Sequence, residues 1–471
     1  MTTLTDPGTV GTHRSSRRMW AILGLVLLAD ALDVIDATVT NIAAPTIARD
    51  LHGGEGLIKW LGTAYLLAMG VLLVVGGRLG DKFGQRRLFL IGISGFTLAS
   101  AVAGLAPEPT LLIAARVAQG AFGALLIPQG MAIMMKAFGR DLLAKAFGLF
   151  GPVLGVSSVA GPVLAGFIIS ADLFGLSWRP IFLANVILGG IGLVIATRIL
   201  PRDDGDRSTV VDGRGSGLLA VTMIGLLYGL IEGSTNGWTA LPVASIIAGV
   251  LFFAAFARRQ RTATHPLVTR SLLQNRGFTS GMLVGLSVFA AGAGLVLVLS
   301  LFMQEGLHAS ARDTSLGLVP LTLGIITSAF AAMAGLVAKL GRRLVAIGLA
   351  VVVVGCGWLL AVVDRAGLWS LTPALFVTGI GIGLCFTTIP MVALGDAKPE
   401  EAGSASGSLS SLQQLASALG SAAVTSIFFQ AAASGLDHAM KVSLVVVLVV
   451  CALSLPVVAL MPRTAPREPG H

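Results

Sequence analysis

Charge is what this sequence has least of. Only 12% of its 471 residues are Asp, Glu, Lys or Arg, about half of the ~25% usual in a soluble protein. That shortage excludes an ordinary soluble domain. With 55% hydrophobic residues, a water-facing surface could not hide the apolar area. Cysteine is scarce too. Cys356, Cys385 and Cys451 are odd in number and lie in apolar stretches, which excludes a disulfide framework and leaves small packing residues. The histidines, His13, His52, His265, His308, His438 and His471, fall in loops or tails, and no two have metal-ligand spacing. Neither a metal nor a cofactor is expected, and an enzyme lacks its usual convergent constellation. No phosphate loop of the Gly-x4-Gly-Lys-Ser/Thr kind is present, which excludes an ATP-driven pump. The net charge is +9, but the basic residues are dispersed in short loops without a stripe or RNA-binding motif, so nucleic acid is not an expected partner.

What the chain does have is long apolar runs. Its mean hydropathy is +0.88, and its 60 glycines suit close helix packing in a lipid bilayer. A bilayer core of ~30 Å needs about 20 apolar residues per helix. Fourteen such segments are expected, at roughly 19–47, 57–77, 88–106, 110–135, 143–170, 180–200, 216–233, 240–257, 279–303, 314–338, 344–363, 370–394, 404–434 and 440–461. The fold class is an all-α polytopic membrane protein. Residues 1–18 are polar and basic, but the run after them is nearer thirty residues than the 7–15 of a signal core, so an uncleaved first helix is expected.

Orientation follows from Lys and Arg placement. With residues 1–18 and 462–471 as cytoplasmic tails, the opposite side receives Arg49, Lys59, Arg179, Arg312, Arg365 and Lys441. Arg116 lies inside a segment, and the remaining 25 of 32 basic residues are cytoplasmic. Trp20, Trp60, Trp178, Trp238 and Trp369 fall near segment ends, as interfacial anchors should. The longest cytoplasmic loops, 201–215 and 258–278, bracket segments 7 and 8. The expected domains are therefore a six-helix bundle over 19–200, a linker over 201–278 with two extra helices at 216–233 and 240–257, and a second six-helix bundle over 279–461. A faint repeat supports this: "GRLGDKFGQRRL" from Gly77 aligns with "AGLVAKLGRRLV" from Ala334, Gly84 on Gly341 and Asp81 on Ala338. Repeated halves around a midplane site are a property of secondary transporters.

Four motifs carry a family resemblance over about residues 19–461: "GRLGDKFGQRR" (Gly77–Arg87), "LLIAARVAQGAFGA" (Leu111–Ala124), "GLFGPVLGVSSVAGPVLAG" (Gly148–Gly166) and "DATVTNIAAP" (Asp36–Pro45). Softer matches are "WRPIFLANV" from Trp178 and "GLIEGSTNGW" from Gly229. With these the chain resembles the major facilitator superfamily, and within it the 14-helix drug:proton antiporters. Departures are Ala44 for Leu, Ser157 and Ala165 for Gly, and no acid in segment 13. The resemblance implies the major facilitator fold, with two six-helix halves plus two inserted helices. It also implies a multi-pass plasma-membrane protein, read as a monomer, that exports a small-molecule substrate in exchange for protons. Gly77, Arg78, Gly80, Asp81, Gly84 and Arg86 would form a cytoplasmic gate. There Asp81 would sit at the N-terminus of the segment beginning at Gly403, where the helix dipole favours an anion. Gly151, Pro152, Gly155, Gly161 and Pro162 would be an antiporter seam against the other half, built by close packing and a kink. Glu232 matches a family position near the outer end of segment 7, with structural and functional readings even.

The residues themselves sharpen the coupling site. Asp30, Asp33 and Asp36 stand in the first apolar segment, where three acids would cost on the order of 8–10 kcal/mol without water or partners. Burial disfavours the charged form of a carboxylate, so a buried acid can trade a proton for a cationic substrate. Steps of three residues spread the triplet over ~120° of helix face, so the acids cannot all meet one spot. Asp36 matches the family motif and ranks first, Asp33 follows near mid-bilayer, and Asp30 is the acid nearest the cytoplasm. Arg116, at an overlapping depth on segment 4, is the expected partner that sets the field at Asp36. Asn41, Tyr65, Gln119, Thr387, Thr388, Gln413 and Gln414 are candidate cavity residues. The resulting reading is a proton-coupled exporter of lipophilic, cationic drugs or antibiotics. The alternatives are a dedicated exporter of one endogenous antibiotic or siderophore and, outside transport, a membrane sensor.

Overall fold

The computed structural model describes residues 9–138, 140–207, 212–264, 266–268, 270–331, 335–365, 367–393 and 402–461. Sixteen α-helices lie among them. In order they are α1 Thr9–Asp50, α2 Gly54–Phe83, α3 Gln85–Leu105, α4 Pro109–Ala137, α5 Arg140–Ala171, α6 Arg179–Ile199, α7 Gly213–Asn236 and α8 Ala240–Thr262. Then come α9 Arg270–Gln274, α10 Arg276–Leu301, α11 Ala311–Ala331, α12 Val337–Leu340, α13 Arg342–Val362, α14 Thr372–Ala393, α15 Ala402–Ala431 and α16 Leu436–Val458. Among the described residues eleven helices are long and apolar enough to cross a membrane, and α1, which carries the three acids, is not one of them.

Local sequence explains the breaks. Pro109 and Pro180 sit in the first turns of α4 and α6, where a missing N–H costs nothing. Asp212 caps α7 by accepting the Gly215 N–H at 3.0 Å, and Asn275 caps α10 by accepting from Gly277 and Phe278. Between α2 and α3 the chain turns at Gly84 with φ +93°, and between α12 and α13 at Gly341 with φ +49°. Both angles favour glycine, so each of the two aligned glycines of the repeat stands at a turn between helices. The tenth segment carries α11 to Ala331 and α12 from Val337, and residues 332–334 between them lie outside the described residues. The 258–278 stretch carries the short α9.

Helices α1–α6 pack on one another, as do α10–α16, and α8 lies against α7. The two groups meet where α2 packs on α15 and α5 on α11. Ser300 donates to the Asn41 carbonyl at 3.0 Å and Gln304 to the Ile42 carbonyl at 3.2 Å. Ser411 on α15 donates to the Gly70 carbonyl on α2. A continuous apolar core runs from Val39, Ile42 and Ile47 of α1 into Leu295, Val298 and Phe302. Contacts between the groups thus reach from the end that holds Asp50 and Lys59 to Gly70, midway along α2. Trp178 departs from the anchor expectation. It is fully buried and donates its indole N–H to Asp50 at 2.9 Å, whereas Trp20, Trp238 and Trp369 are exposed.

Candidate functional site

Five helices of the first group converge on Asp36. Its side chain is completely buried on α1. Arg116 on α4, equally buried, donates from Nη1 to Asp36 Oδ2 and pairs with it. Asn185 on α6 donates to Oδ1 at 2.6 Å and Gln119 on α4 donates to the same oxygen at 3.2 Å. Gln119 also donates to Ser100 of α3 at 2.9 Å and accepts from Arg116 at 3.1 Å. The guanidinium extends further, with Nε donating to the Leu61 carbonyl of α2 at 3.2 Å, while Nη2 is buried without a partner. It stacks 4.4 Å from the Tyr65 ring centroid and 5.8 Å from that of Phe182. A charge pair removed from water needs further hydrogen bonds to both ions; Asn185 and Gln119 supply them to Asp36, and Leu61 and Gln119 supply them to Arg116 at Nε and Nη1.

Asp33 and Asp30 have different company. Tyr65 on α2 donates its hydroxyl to Asp33 Oδ1. Asp30 is buried with Oδ1 unpartnered. The structure therefore brings Asp36, Arg116, Gln119 and Tyr65 into one network and leaves Asp30 at its margin. Two members, Asn185 and Ser100, were not singled out from sequence. Asn185 stands inside the "WRPIFLANV" match, and an amide in an apolar segment was the available signal.

The remaining candidates lie apart. Asn41 uses its carbonyl to hold Ser300. Gln414 is 3.2 Å from Met69, one turn beyond Tyr65 on α2, and Thr388 is buried with its hydroxyl unpartnered. Thr387 and Gln413 are half-buried on α14 and α15. Glu232 accepts from Asn236 one turn away at 2.7 Å. In the gate motif, Gly80 packs on Gln129 of α4, which donates to the Gly76 carbonyl at 2.8 Å, and Gly77 faces Pro128. Asp81 is exposed, as is Arg78, and among the described residues Asp81 forms no ion pair. Its backbone carbonyl accepts from Asp206 at 2.7 Å. The expected seat for Asp81 is the N-terminus of the segment beginning at Gly403; there the path of α15 from Ala402 alone is described, and residues 394–401 before it lie outside the described residues. What holds the motif is the loop after α6: Asp203 accepts the Gln85 and Arg86 N–H groups at 2.6 and 3.0 Å, and Arg86 donates to the Thr197 carbonyl at 2.9 Å. In the seam, Gly161 meets Thr38 and Ile35 of α1, in its own helix group, while Gly166 meets Ser315 and Arg312 of α11. Pro162 is half-buried beside Gly161; Gly151, Pro152 and Gly155 lie on α5, where the helix path alone is described. The expected contact with the other half is made by Gly166 rather than Gly161, because the two face different sides of α5.

Lys59 was counted among the outer loop charges; the structure buries it completely. Its ammonium donates to Ser234 and Thr235 of α7, each at 3.0 Å, lies 3.7 Å from Glu55, and sits 5.1 Å over the Phe429 ring of α15. Outside the spanning segments, two acids are tuned. The Trp178 N–H, against some burial, and the Arg179 guanidinium hold Asp50 below the usual carboxylate range. Burial works to raise Asp212, but the Arg259 guanidinium and the Gly215 N–H outweigh it and hold that carboxyl low.

The chain is similar to known proteins. Residues 26–421 match the model of the Major Facilitator Superfamily. The chain is 38% identical over 451 residues to the probable actinorhodin transporter of Streptomyces coelicolor, covering 92% of this chain and 78% of that one. It is 34% identical over 431 residues to the puromycin resistance protein of Streptomyces alboniger, covering 90% and 84%. It is 31% identical over 418 residues to the tetracenomycin C resistance and export protein of Streptomyces glaucescens, covering 86% and 75%. Among solved structures, a D-xylose–proton symporter superposes with a TM-score of 0.66 at 15% identity, over 95% of this chain and 99% of that one. At that identity the likeness is one of fold.

Proposed function

The chain belongs to the major facilitator superfamily, as a multi-pass plasma-membrane transporter and not an enzyme, and from that premise we propose that it is a proton-coupled exporter of lipophilic, cationic drugs or antibiotics. The observation that carries this is the buried Asp36–Arg116 pair with Asp33 and Asp30 on the same apolar helix. Acids inside a membrane are expensive and mark ion pathways. A carboxylate that alternately holds a proton and balances a cation couples two gradients without ATP. A proton moved down a pH gradient supplies about 1.4 kcal/mol per pH unit, enough for a tenfold substrate gradient per unit when one monovalent cation is exchanged for it. Fourteen spans, cytoplasmic tails, a monomer, and six-helix halves at 19–200 and 279–461 flanking the 201–278 linker complete the reading. The gate motif, held by Asp203, would then lie on the cytoplasmic side, and the end around Lys59 on the outside.

A second reading has one specific observation behind it. The relative at 38% identity is named for a single compound, actinorhodin, which favours a dedicated exporter of one antibiotic. Proteoliposomes with an imposed pH gradient separate the two. Ethidium accumulation that collapses with a protonophore, and that is lost in Asp36→Asn, is the result expected of the multidrug antiporter. Inert ethidium with gradient-driven movement of an aromatic polyketide would favour the dedicated exporter. No movement of either would sink proton-driven export.

A further inference from the structure

The three acids of α1 differ in what a proton would do to them. Asp36 has both oxygens occupied by donors: Arg116 on Oδ2, Asn185 and Gln119 on Oδ1. A proton on either oxygen would meet an N–H already pointing at it and would leave the buried guanidinium without its counter-charge, an arrangement that proteins avoid. Asp36 is also wholly sealed, at 0% exposure, whereas Asp33 keeps 9% and Asp30 7%. Asp33 meets one hydroxyl, that of Tyr65. A hydroxyl both donates and accepts. Tyr65 can donate to the Asp33 carboxylate and, when the carboxyl carries a proton, accept from it, without either side chain moving.

Among the described residues, the charged and titratable groups around Asp33 fit this division. Asp30 and Asp36 flank it on α1, Tyr65 faces it from α2, and Arg116 faces from α4, committed to Asp36 and to the Tyr65 ring. Also on α4 is Gly123, where a Cβ would come within 3.6 Å of both Asp33 Oδ1 and the Tyr65 hydroxyl. α4 thus closes on the pair without adding a polar group of its own at that point.

We propose that Asp33 is the acid that exchanges the proton, that Tyr65 is its positioning residue, and that Asp36 stays ionised throughout as the fixed counter-charge of Arg116. This rests on the proton-antiport reading. In each cycle the Asp33 carboxylate takes one proton from water on the outer side and later returns it to cytoplasmic water, while one cation leaves. One positive charge enters and one leaves, so exchange of a monovalent cation is electroneutral.

The test uses the full chain in proteoliposomes with ethidium as probe and two readouts: accumulation driven by a pH gradient, and gradient-free exchange of ethidium as a function of pH. Wild type is expected to accumulate ethidium with the pH gradient but not with a membrane potential alone. Asp33→Asn should lose accumulation at least tenfold, and its remaining exchange should no longer vary with pH. Tyr65→Phe should keep accumulation in part and shift the pH midpoint of exchange. Asp36→Asn should lose both readouts, because it strands Arg116. Accumulation retained in Asp33→Asn overturns the assignment, as does loss of all exchange there, which would make Asp33 a folding or cation-binding residue. Asp36→Asn that abolishes accumulation but leaves pH-independent exchange moves the proton to Asp36 and likewise overturns it. A wild type inert to the pH gradient fails the antiport reading itself, a result that no comparison among the variants could mimic.

Discussion

Lys59, fully buried on α2, donates a 3.0 Å hydrogen bond to Ser234 on α7. Ser234 Oγ in turn lies 2.8 Å from Ser426 Oγ on α15. One lysine thus ties the first helix group, the inserted pair and the second group at a single point.

The two sides of that contact are unequal, which makes a prediction. Both hydroxyls have a fallback, since Ser234 and Thr235 also reach the Ile231 carbonyl at 3.0 and 2.8 Å. The ammonium has only the more distant, half-exposed Glu55 and the Phe429 ring 5.1 Å away. Removing the hydroxyls strands a buried charge, and hydrogen bonds to charged groups contribute about 1.5–3 kcal/mol each. Ser234→Ala with Thr235→Val should therefore lower the thermal unfolding midpoint in detergent by more than Lys59→Met does. The reverse order would mean that the lysine is not dependent on α7.

Arg116 uses three directions at once: Asp36 and Gln119 from Nη1, and Leu61 from Nε. Lysine has one ammonium on a flexible stem and cannot reproduce that fork. Arg116→Lys should cut gradient-driven ethidium transport at least tenfold while the protein still reaches the membrane. Transport within twofold of wild type would show that a point charge is enough.

Asp203 supplies an N-terminal cap to α3 from a loop more than a hundred residues away. Loss of such a cap costs about 1 kcal/mol. Asp203→Ala is expected to lower the unfolding midpoint and speed proteolysis in the 84–87 turn, whereas Asp81→Ala, an exposed side chain, should do neither. Gly84→Ala should also destabilise by about 1–2 kcal/mol, because a Cβ is strained at φ +93°. Equal proteolysis of all three variants and wild type would remove Asp203 from this role.

The α7–α8 hairpin should lose stability in acid. Asp212 bonds Arg259 at 2.6 Å, and its folded carboxyl titrates below the usual range. A lowered value means that the stabilisation is complete above the ordinary carboxylate range and is lost as pH falls through the folded value. The unfolding midpoint of wild type should exceed that of Asp212→Asn at pH 7, and the gap should close below about pH 4. A gap that is constant with pH would show that the ion pair contributes nothing.

Much of the site was legible one residue at a time. Arg116 and Asp36 were readable as partners because each is too costly to leave alone in lipid and their depths overlap. Gly84 and Gly341 were readable as an aligned pair because the surrounding residues repeat. Asn185 and Ser100 were not, since an amide or hydroxyl in an apolar helix can satisfy itself on its own backbone, as Thr40 does on Asp36. Lys59 was misread because a lysine near a helix end ordinarily snorkels to water, and nothing local reveals that α7 and α15 cover it. Nor does anything local reveal that Gly161 faces α1 while Gly166 faces α11.

The sequence by itself determined the membrane class, the helical segments, the family and the charges that must find partners, because hydropathy, turn glycines and the cost of burying a charge are properties of short stretches. Only the tertiary structure decided which oxygen of which acid meets which donor. It surrounded Asp36 with three donors, left Asp33 a single hydroxyl, and seated Asp203 on the backbone of the gate motif. Those outcomes depend on how five helices rotate about their axes as they pack, and a rotation is settled by every neighbour at once.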